Sequence, residues 1–139
     1  MFPLIARLAI LASFIILAYA PSLHVPFIFD DLPNIVFNPA VHPENWGQLH
    51  LVDDGVNGKR AVAMLTFGLN YLWSGLDPST YHWVNIAIHI GVAFALYGLL
   101  ATLARAQSRS AALRANATYF AFAVALLWAL HPVNTQAVT

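Results

Sequence analysis

Val25-Pro-Phe-Ile-Phe-Asp-Asp-Leu-Pro-Asn34 is the point at which an apolar chain changes character. The run that begins near Leu8 ends at Phe29, and two adjacent carboxylates, Asp30 and Asp31, follow at once. An unpaired carboxylate in lipid costs at least a few kcal/mol, so such a pair sits in water, against a partner, or in a site. Just past the end of a membrane span it lies at the membrane surface, facing what a lipid presents there. The plainer alternative is a solvated loop start, with Asp31 capping a short helix.

Working outward from this stretch, the apolar residues before it, Phe2 to Leu23, read as a first span with Arg7 near its start. A hydrocarbon core of about 30 Å needs about 20 such residues at ~1.5 Å each. Arg7, the apolar run and Ala18-Tyr19-Ala20 also imitate a cleaved leader, but Pro21 follows directly and apolar character continues to Phe29, which favours a retained span. After it, Pro26, Pro33, Pro39 and Pro43 break any long helix. The chain from about 24 to 80 therefore reads as a long loop. Its Phe27, Phe29, Phe37, Trp46, Leu49 and Leu51 argue for short interfacial helices over disorder, one of them starting at Glu44 behind Pro43. Ala61 to Trp73 suits a helix near the membrane plane, with Tyr71 and Trp73 at headgroup level.

Gly75-Leu-Asp-Pro-Ser-Thr80 is a turn in which Asp77 is placed to cap and Pro78 to open a helix. A second span runs from about 81 to 104. His82, Asn85 and His89 share one face of it, and Gly91, Ala95 and Gly98 would let another helix approach. A third span covers about 115 to 130. Arg105, Arg109 and Arg114 flank the turn between these two. With three crossings, Arg7 and these arginines lie on one side, which the positive-inside rule makes cytoplasmic; Asp30, Asp31, Lys59, Arg60 and His131 then share the other.

Composition agrees. The residues are 60% hydrophobic and 9% charged, against roughly 25% charged in a soluble domain. Formal net charge is +0, which offers nothing to nucleic acid, and the lack of cysteine removes disulfides and thiolate metal sites. The expected fold class is an all-α membrane protein: three transmembrane helices with a long extracytoplasmic loop carrying interfacial helices. Residues 1–139 read as the amino-terminal part of a longer multi-span domain, since composition changes just before Thr139.

Several polar groups could carry chemistry. Asp30 or Asp31 suits a general base, and because neighbours rarely converge on one atom, one of them faces the site while the other orients the loop. The turn at Leu32-Pro33 favours Asp31 as the base. Lys59 and Arg60 suit a phosphate, as point charge and bidentate fork, or else pair with Asp53 and Asp54. His82 and His89 stand about 10 Å apart along a helix, too far to share a zinc ion, and read as structural groups bonding to neighbouring backbone. His131, before Pro132, is a cap or a member of the site, and His82 and His131 are both candidates to line it. No metal ligand set is assigned, and a divalent metal is neither required nor excluded.

Four blocks in order carry a resemblance: Phe27-Ile-Phe-Asp-Asp-Leu-Pro-Asn-Ile-Val-Phe-Asn-Pro39, Arg60 with Leu65-Thr-Phe-Gly-Leu-Asn-Tyr71, Tyr81-His-Trp-Val-Asn-Ile-Ala-Ile-His89, and Leu127-Trp-Ala-Leu-His-Pro-Val133. Together the sequence resembles the amino-terminal part of GT-C membrane glycosyltransferases, in particular the O-mannosyltransferase-like group with tetratricopeptide repeats. The resemblance implies transfer of mannose or another hexose from a polyprenyl-phosphate donor to a protein or glycan hydroxyl. Read from the residues themselves, a carboxylate and a basic pair on one face suit a single in-line displacement with inversion, on the extracytoplasmic face of a bacterial inner membrane or the endoplasmic reticulum. The resemblance also implies that the catalytic acidic residue is Asp30 or Asp31 and that Arg60, with Lys59, faces the donor phosphate. Two departures stand out: Ala61 follows Arg60 where relatives tend to have proline, and Gln136 stands where they often carry an acid. The contrasting reading is a non-catalytic assembly subunit or a transporter fragment, which needs no role for the carboxylates.

Overall fold

Backbone polar groups in an apolar chain must find partners within the chain, and helices satisfy nearly all of them locally. The computed structural model, which describes residues 3–51 and 60–138, is helical throughout, with no strand among the described residues. Its helices are α1 (Leu4–Tyr19), α2 (Ala61–Ser74), α3 (Pro78–Gln107), α4 (Ala111–Ala115), α5 (Ala117–Ala129) and α6 (Thr135–Val138). Short 3₁₀ turns lie at Ala20–His24, Pro39–Val41, Trp46–Leu51 and Pro132–Asn134, and one π turn lies at Leu32–Val36. They divide into two compact units, Met1–Ser22 with Trp83–Thr139, and Leu23–His82.

Two helical stretches are long and apolar enough to cross a membrane: Leu4–His24 with 21 residues and Pro78–Gln107 with 30. The expected third span is shorter. α5 has 13 residues, about 20 Å at ~1.5 Å per residue, against a core of about 30 Å. Asn116 interrupts the helix before it: its φ of −108° and ψ of 17° leave the helical region, and its side-chain amide joins its own backbone N–H on the Ala112 carbonyl, at 3.0 and 3.1 Å.

In the first unit, α1 buries Arg7, Leu11, Ile15 and Tyr19, and α5 buries Ala117, Ala121, Ala125 and Ala129. Both rows have a spacing of four, the ridge by which helices commonly interlock, and the alanines let the two backbones come close. α1 and α5 are in contact along these rows. The outward residues are large and apolar, among them Ile5, Phe14, Leu17, Val92, Leu99, Phe120 and Leu127. Such a surface suits lipid and is poorly suited to water.

α3 buries Ile86, His89, Ala93, Tyr97, Ala101 and Ala104 in this unit. The small-residue face expected to receive a helix is therefore not the packed one. Gly91 and Gly98 are exposed, and a Cβ at either would meet nothing within 4 Å. Polar pairing decides the rotation of α3 instead: Arg7 Nη1 donates to Tyr97 Oη at 2.7 Å, and His89 Nε2 donates to the Ala129 carbonyl at 2.9 Å. Tyr19 Oη donates to the same carbonyl at 3.0 Å, and the Tyr19 and His89 rings meet edge to face at 5.4 Å. The last carbonyls of a helix have no partner within it, and in apolar surroundings each would cost several kcal/mol. Asn134 Nδ2 completes the clasp on the Trp128 carbonyl at 2.6 Å. Thus the histidine block of α3 and the Leu127–Val133 block meet at the end of α5.

In the second unit α2 packs through Met64 and Gly68 against the turns at 39–41 and 46–51. Ile35, Val41, Met64 and Tyr81 are its buried apolar residues. His42 ties the loop to α2: its Nε2 donates to the Ile35 carbonyl at 2.7 Å while its ring stacks on Tyr71 at 4.2 Å. The expected helix at Glu44 forms later and tighter, as the 3₁₀ turn from Trp46, because Gln48 Oε1 turns back to accept from Glu44 N. The outer face of α2 carries Val62, Leu65, Leu69 and Trp73, all exposed. Such a stripe suits a helix lying on an apolar surface, as the sequence reading expects of this segment. α2 ends at Gly75, whose φ of +63° a side chain would strain. As expected, Asp77 opens α3 by accepting from Ser79 N at 3.1 Å, with Pro78 in the first position.

Candidate functional site

The carboxylate stretch is built as a turn. Asp31 N donates to the Ile28 carbonyl at 3.0 Å, and Ile28 N donates back to Asp31 Oδ2 at 3.1 Å. These two bonds close Ile28–Asp31 from both sides. Downstream, Asn34 Nδ2 donates to the Asp30 carbonyl at 2.7 Å, and Asn38 Nδ2 donates to the Asn34 carbonyl at 3.2 Å. The Asp30 carbonyl also accepts from Asn34 N at 3.1 Å, so side-chain amides four residues apart reinforce this proline-interrupted stretch.

Phe29, between the two halves of this turn, has φ of +47° and is 86% exposed. A bulky residue rarely adopts the left-handed region, and doing so costs on the order of 1–3 kcal/mol. The reciprocal Ile28–Asp31 bonds hold it there. The strained residue immediately precedes Asp30, whose side chain is exposed and accepts no hydrogen bond from a described residue. Of the two carboxylates, Asp31 is therefore occupied in shaping the loop, while Asp30 is presented outward.

The first turn of α3 anchors the approach to this turn. His82, only 3% exposed, donates from Nε2 to the Val25 carbonyl at 3.0 Å. A carbonyl can only accept, so Nε2 carries the proton, and the buried Nδ1 has no hydrogen-bond partner. Phe27 packs edge to face on Tyr81 at 5.2 Å. Tyr81 Oη in turn donates to the Gly75 carbonyl at 3.1 Å. Two matching blocks, the carboxylate stretch and Tyr81–His89, are hence physically joined at Val25–Phe27.

His82→Phe removes the bond while keeping much of the ring volume. It should lower stability by about 1 kcal/mol and speed amide hydrogen exchange at Ile28 and Asp31. His82→Gln, whose amide nitrogen can reach the same carbonyl, should restore part of both. Unchanged exchange in His82→Phe would show that the anchor does not hold the turn.

Asp30, Asp31, Arg60 and His82 all belong to the Leu23–His82 unit. Arg60 is exposed at the start of α2, where its carbonyl accepts from Met64 N at 2.9 Å. Lys59, with Asp53 and Asp54, lies outside the described residues. His131 belongs to the other unit, where it acts as a cap: Val133 N donates to its Nδ1 at 3.2 Å. Among the described residues no group of three or more His, Asp or Glu gathers as a metal ion would need. Sequence reading missed Tyr19 and Asn134 as partners of the α5 end. Tyr19 could have been found from its position on the Arg7–Leu11–Ile15 row; Asn134 gives no such signal.

No family model and no solved structure matches the chain. Curated proteins do. The chain is 33% identical over 141 residues to protein O-mannosyl-transferase TMTC1 of Homo sapiens, covering 94% of this chain. It is 32% identical over 134 residues to protein O-mannosyl-transferase tmtc2 of Xenopus laevis, covering 89% of it. Protein O-mannosyl-transferase F38B6.6 of Caenorhabditis elegans is 31% identical over 144 residues, covering 96%. The chain spans only 15% of the length of the first two relatives and 20% of the third. Over most of its length it is therefore a homologue of the protein O-mannosyl-transferases, which fits the GT-C resemblance carried by its four sequence blocks.

Proposed function

We propose that this chain supplies part of the active site of a protein O-mannosyltransferase that takes mannose from a polyprenyl-phosphate donor. The observation that carries the reading is the turn at Ile28–Asp31, in which Asp31 is bonded to backbone and Asp30 is left exposed beside a strained residue. The names of the relatives support mannose and a protein acceptor. The apolar outer faces of α1, α2 and α3 support a donor that arrives in the plane of the membrane.

In this mechanism Asp30 removes the proton of an acceptor hydroxyl, and the hydroxyl oxygen forms its bond to the anomeric carbon from the face opposite the phosphate. The bond between that carbon and the phosphate oxygen breaks, the phosphate keeps the electron pair, and configuration inverts. Arg60 offers two parallel N–H donors to the departing phosphate, assisted by Lys59. Exclusion of water at the interface strengthens both charge interactions. The amino terminus and Ala106–Arg114 face the cytoplasm, α4 and α5 together make a third crossing, and the carboxylate turn lies on the far side.

The test is transfer to a serine- or threonine-containing peptide by the full-length protein, comparing polyprenyl-phosphate mannose with a nucleotide-linked mannose. Transfer is expected from the lipid-linked donor alone. Arg60→Ala should reduce it about 10- to 100-fold, the worth of one or two charge-assisted hydrogen bonds, and Arg60→Lys should recover only part. Direct use of the nucleotide sugar would overturn the donor assignment.

A further inference from the structure

The first unit has a charge imbalance that the transferase reading does not use. Segments 1–22 and 83–139 contain four arginines, Arg7, Arg105, Arg109 and Arg114, and not one Asp or Glu. Two of the four converge on one crevice of about 240 Å³, lined also by Tyr97, Gly98, Thr102 and Thr118. Arg7 is only 8% exposed, and its bond to Tyr97 Oη fixes one guanidinium in the wall. Arg105, in the last turn of α3, is exposed and makes no hydrogen bond to a described residue. Thr118 is buried in the first turn of α5, and Leu4 opens α1 at the same crevice. Neither first turn carries an acidic residue.

We propose that this crevice binds the phosphate of an anionic phospholipid. Arg105 supplies a forked donor to phosphate oxygens, and the Arg7 guanidinium, held by Tyr97 Oη, adds a fixed positive charge in the same crevice. The positive ends of two helix dipoles point the same way in sign, and the surrounding unit has no carboxylate side chain to compete. The volume equals several waters at about 30 Å³ each, enough for a tetrahedral phosphate. A lipid is favoured over free phosphate because exposed apolar side chains stand beside the crevice, Leu4 within its wall and Leu99 and Leu103 on the same stretch of α3. Acyl chains would lie along them while the headgroup enters between the arginines. All residues lining the crevice belong to the first unit, and the carboxylate turn contributes none of them.

The experiment is native mass spectrometry of the full-length protein in non-ionic detergent, titrated with phosphatidylglycerol, with phosphatidylcholine, and with inorganic phosphate. Phosphatidylglycerol is expected to bind at least about 10-fold more tightly than phosphatidylcholine. Arg105→Gln, an exposed change that leaves packing intact, should weaken it about 10-fold or more, the scale of a lost charge-assisted bond. Arg109→Gln, exposed and outside the crevice, should leave affinity within twofold. Equal weakening by the two variants would mean diffuse attraction to basic residues and would overturn the site. Binding of inorganic phosphate as tight as that of the lipid, with the same sensitivity to Arg105→Gln, would overturn the lipid as its occupant.

Discussion

Asp30→Asn is expected to slow sugar transfer by the full-length protein about 10²- to 10⁴-fold while leaving its thermal midpoint unchanged. That range is what a positioned general base typically contributes. Stability should be spared because the Asp30 side chain is exposed and accepts no hydrogen bond from a described residue; only its backbone carbonyl is used, by Asn34. Asp31→Ala should behave differently. It removes the acceptor for Ile28 N and with it one of the two bonds that keep Phe29 at φ +47°. Loss of one hydrogen bond costs about 1 kcal/mol, and release of the strained backbone returns part of it. Activity should then fall by less than in Asp30→Asn, through a loosened turn. The pair of measurements decides between the two carboxylates: the reverse order of effects would make Asp31 the base. Near-normal transfer in both variants would reduce the pair to a loop feature.

The largest expected loss of stability comes from Ala121→Leu. Ala121 is fully buried in the row by which α5 meets α1, and its neighbours in that row, Ala117, Ala125 and Ala129, are equally small. There is no space for three more carbons without separating the helices. Overfilling a packed contact typically costs about 1–3 kcal/mol. Separation would also stretch the Tyr19 and His89 bonds to the Ala129 carbonyl, so the upper end of that range is expected. Leu127→Ala, on the outward face of the same helix, should be close to neutral. Thermal unfolding in detergent, read side by side for the two variants, measures the difference. A neutral Ala121→Leu would mean that α1 and α5 are not held by their four-residue rows.

Much of this architecture was readable from local chemistry. Asp77-Pro78 announces the start of α3 because a carboxylate cap and a proline without its N–H satisfy the same unpaired first turn. The prolines between 26 and 43 exclude a long helix for equally local reasons, and short turns fill that region. The same holds for the inward role of His82 and His89, since a polar group in an apolar helix must find a backbone partner. Where the reading failed, the deciding interaction was distant in sequence. Gly91, Ala95 and Gly98 look like a helix contact face, yet the rotation of α3 follows Arg7 with Tyr97 and His89 with Ala129, residues 90 and 40 positions apart.

The sequence by itself determined that the chain is helical and apolar, where its turns begin, and that two carboxylates, Asp30 and Asp31, follow the first apolar run, because propensity, proline geometry and the cost of buried charge act over a few residues. Only the tertiary structure decided which carboxylate is left outward and which face of each long helix is packed. Adjacent aspartates have the same local chemistry, and they are told apart solely by the bonds that close the turn around Phe29. Helix faces of similar apolarity are told apart solely by where the partner for each buried polar group lies.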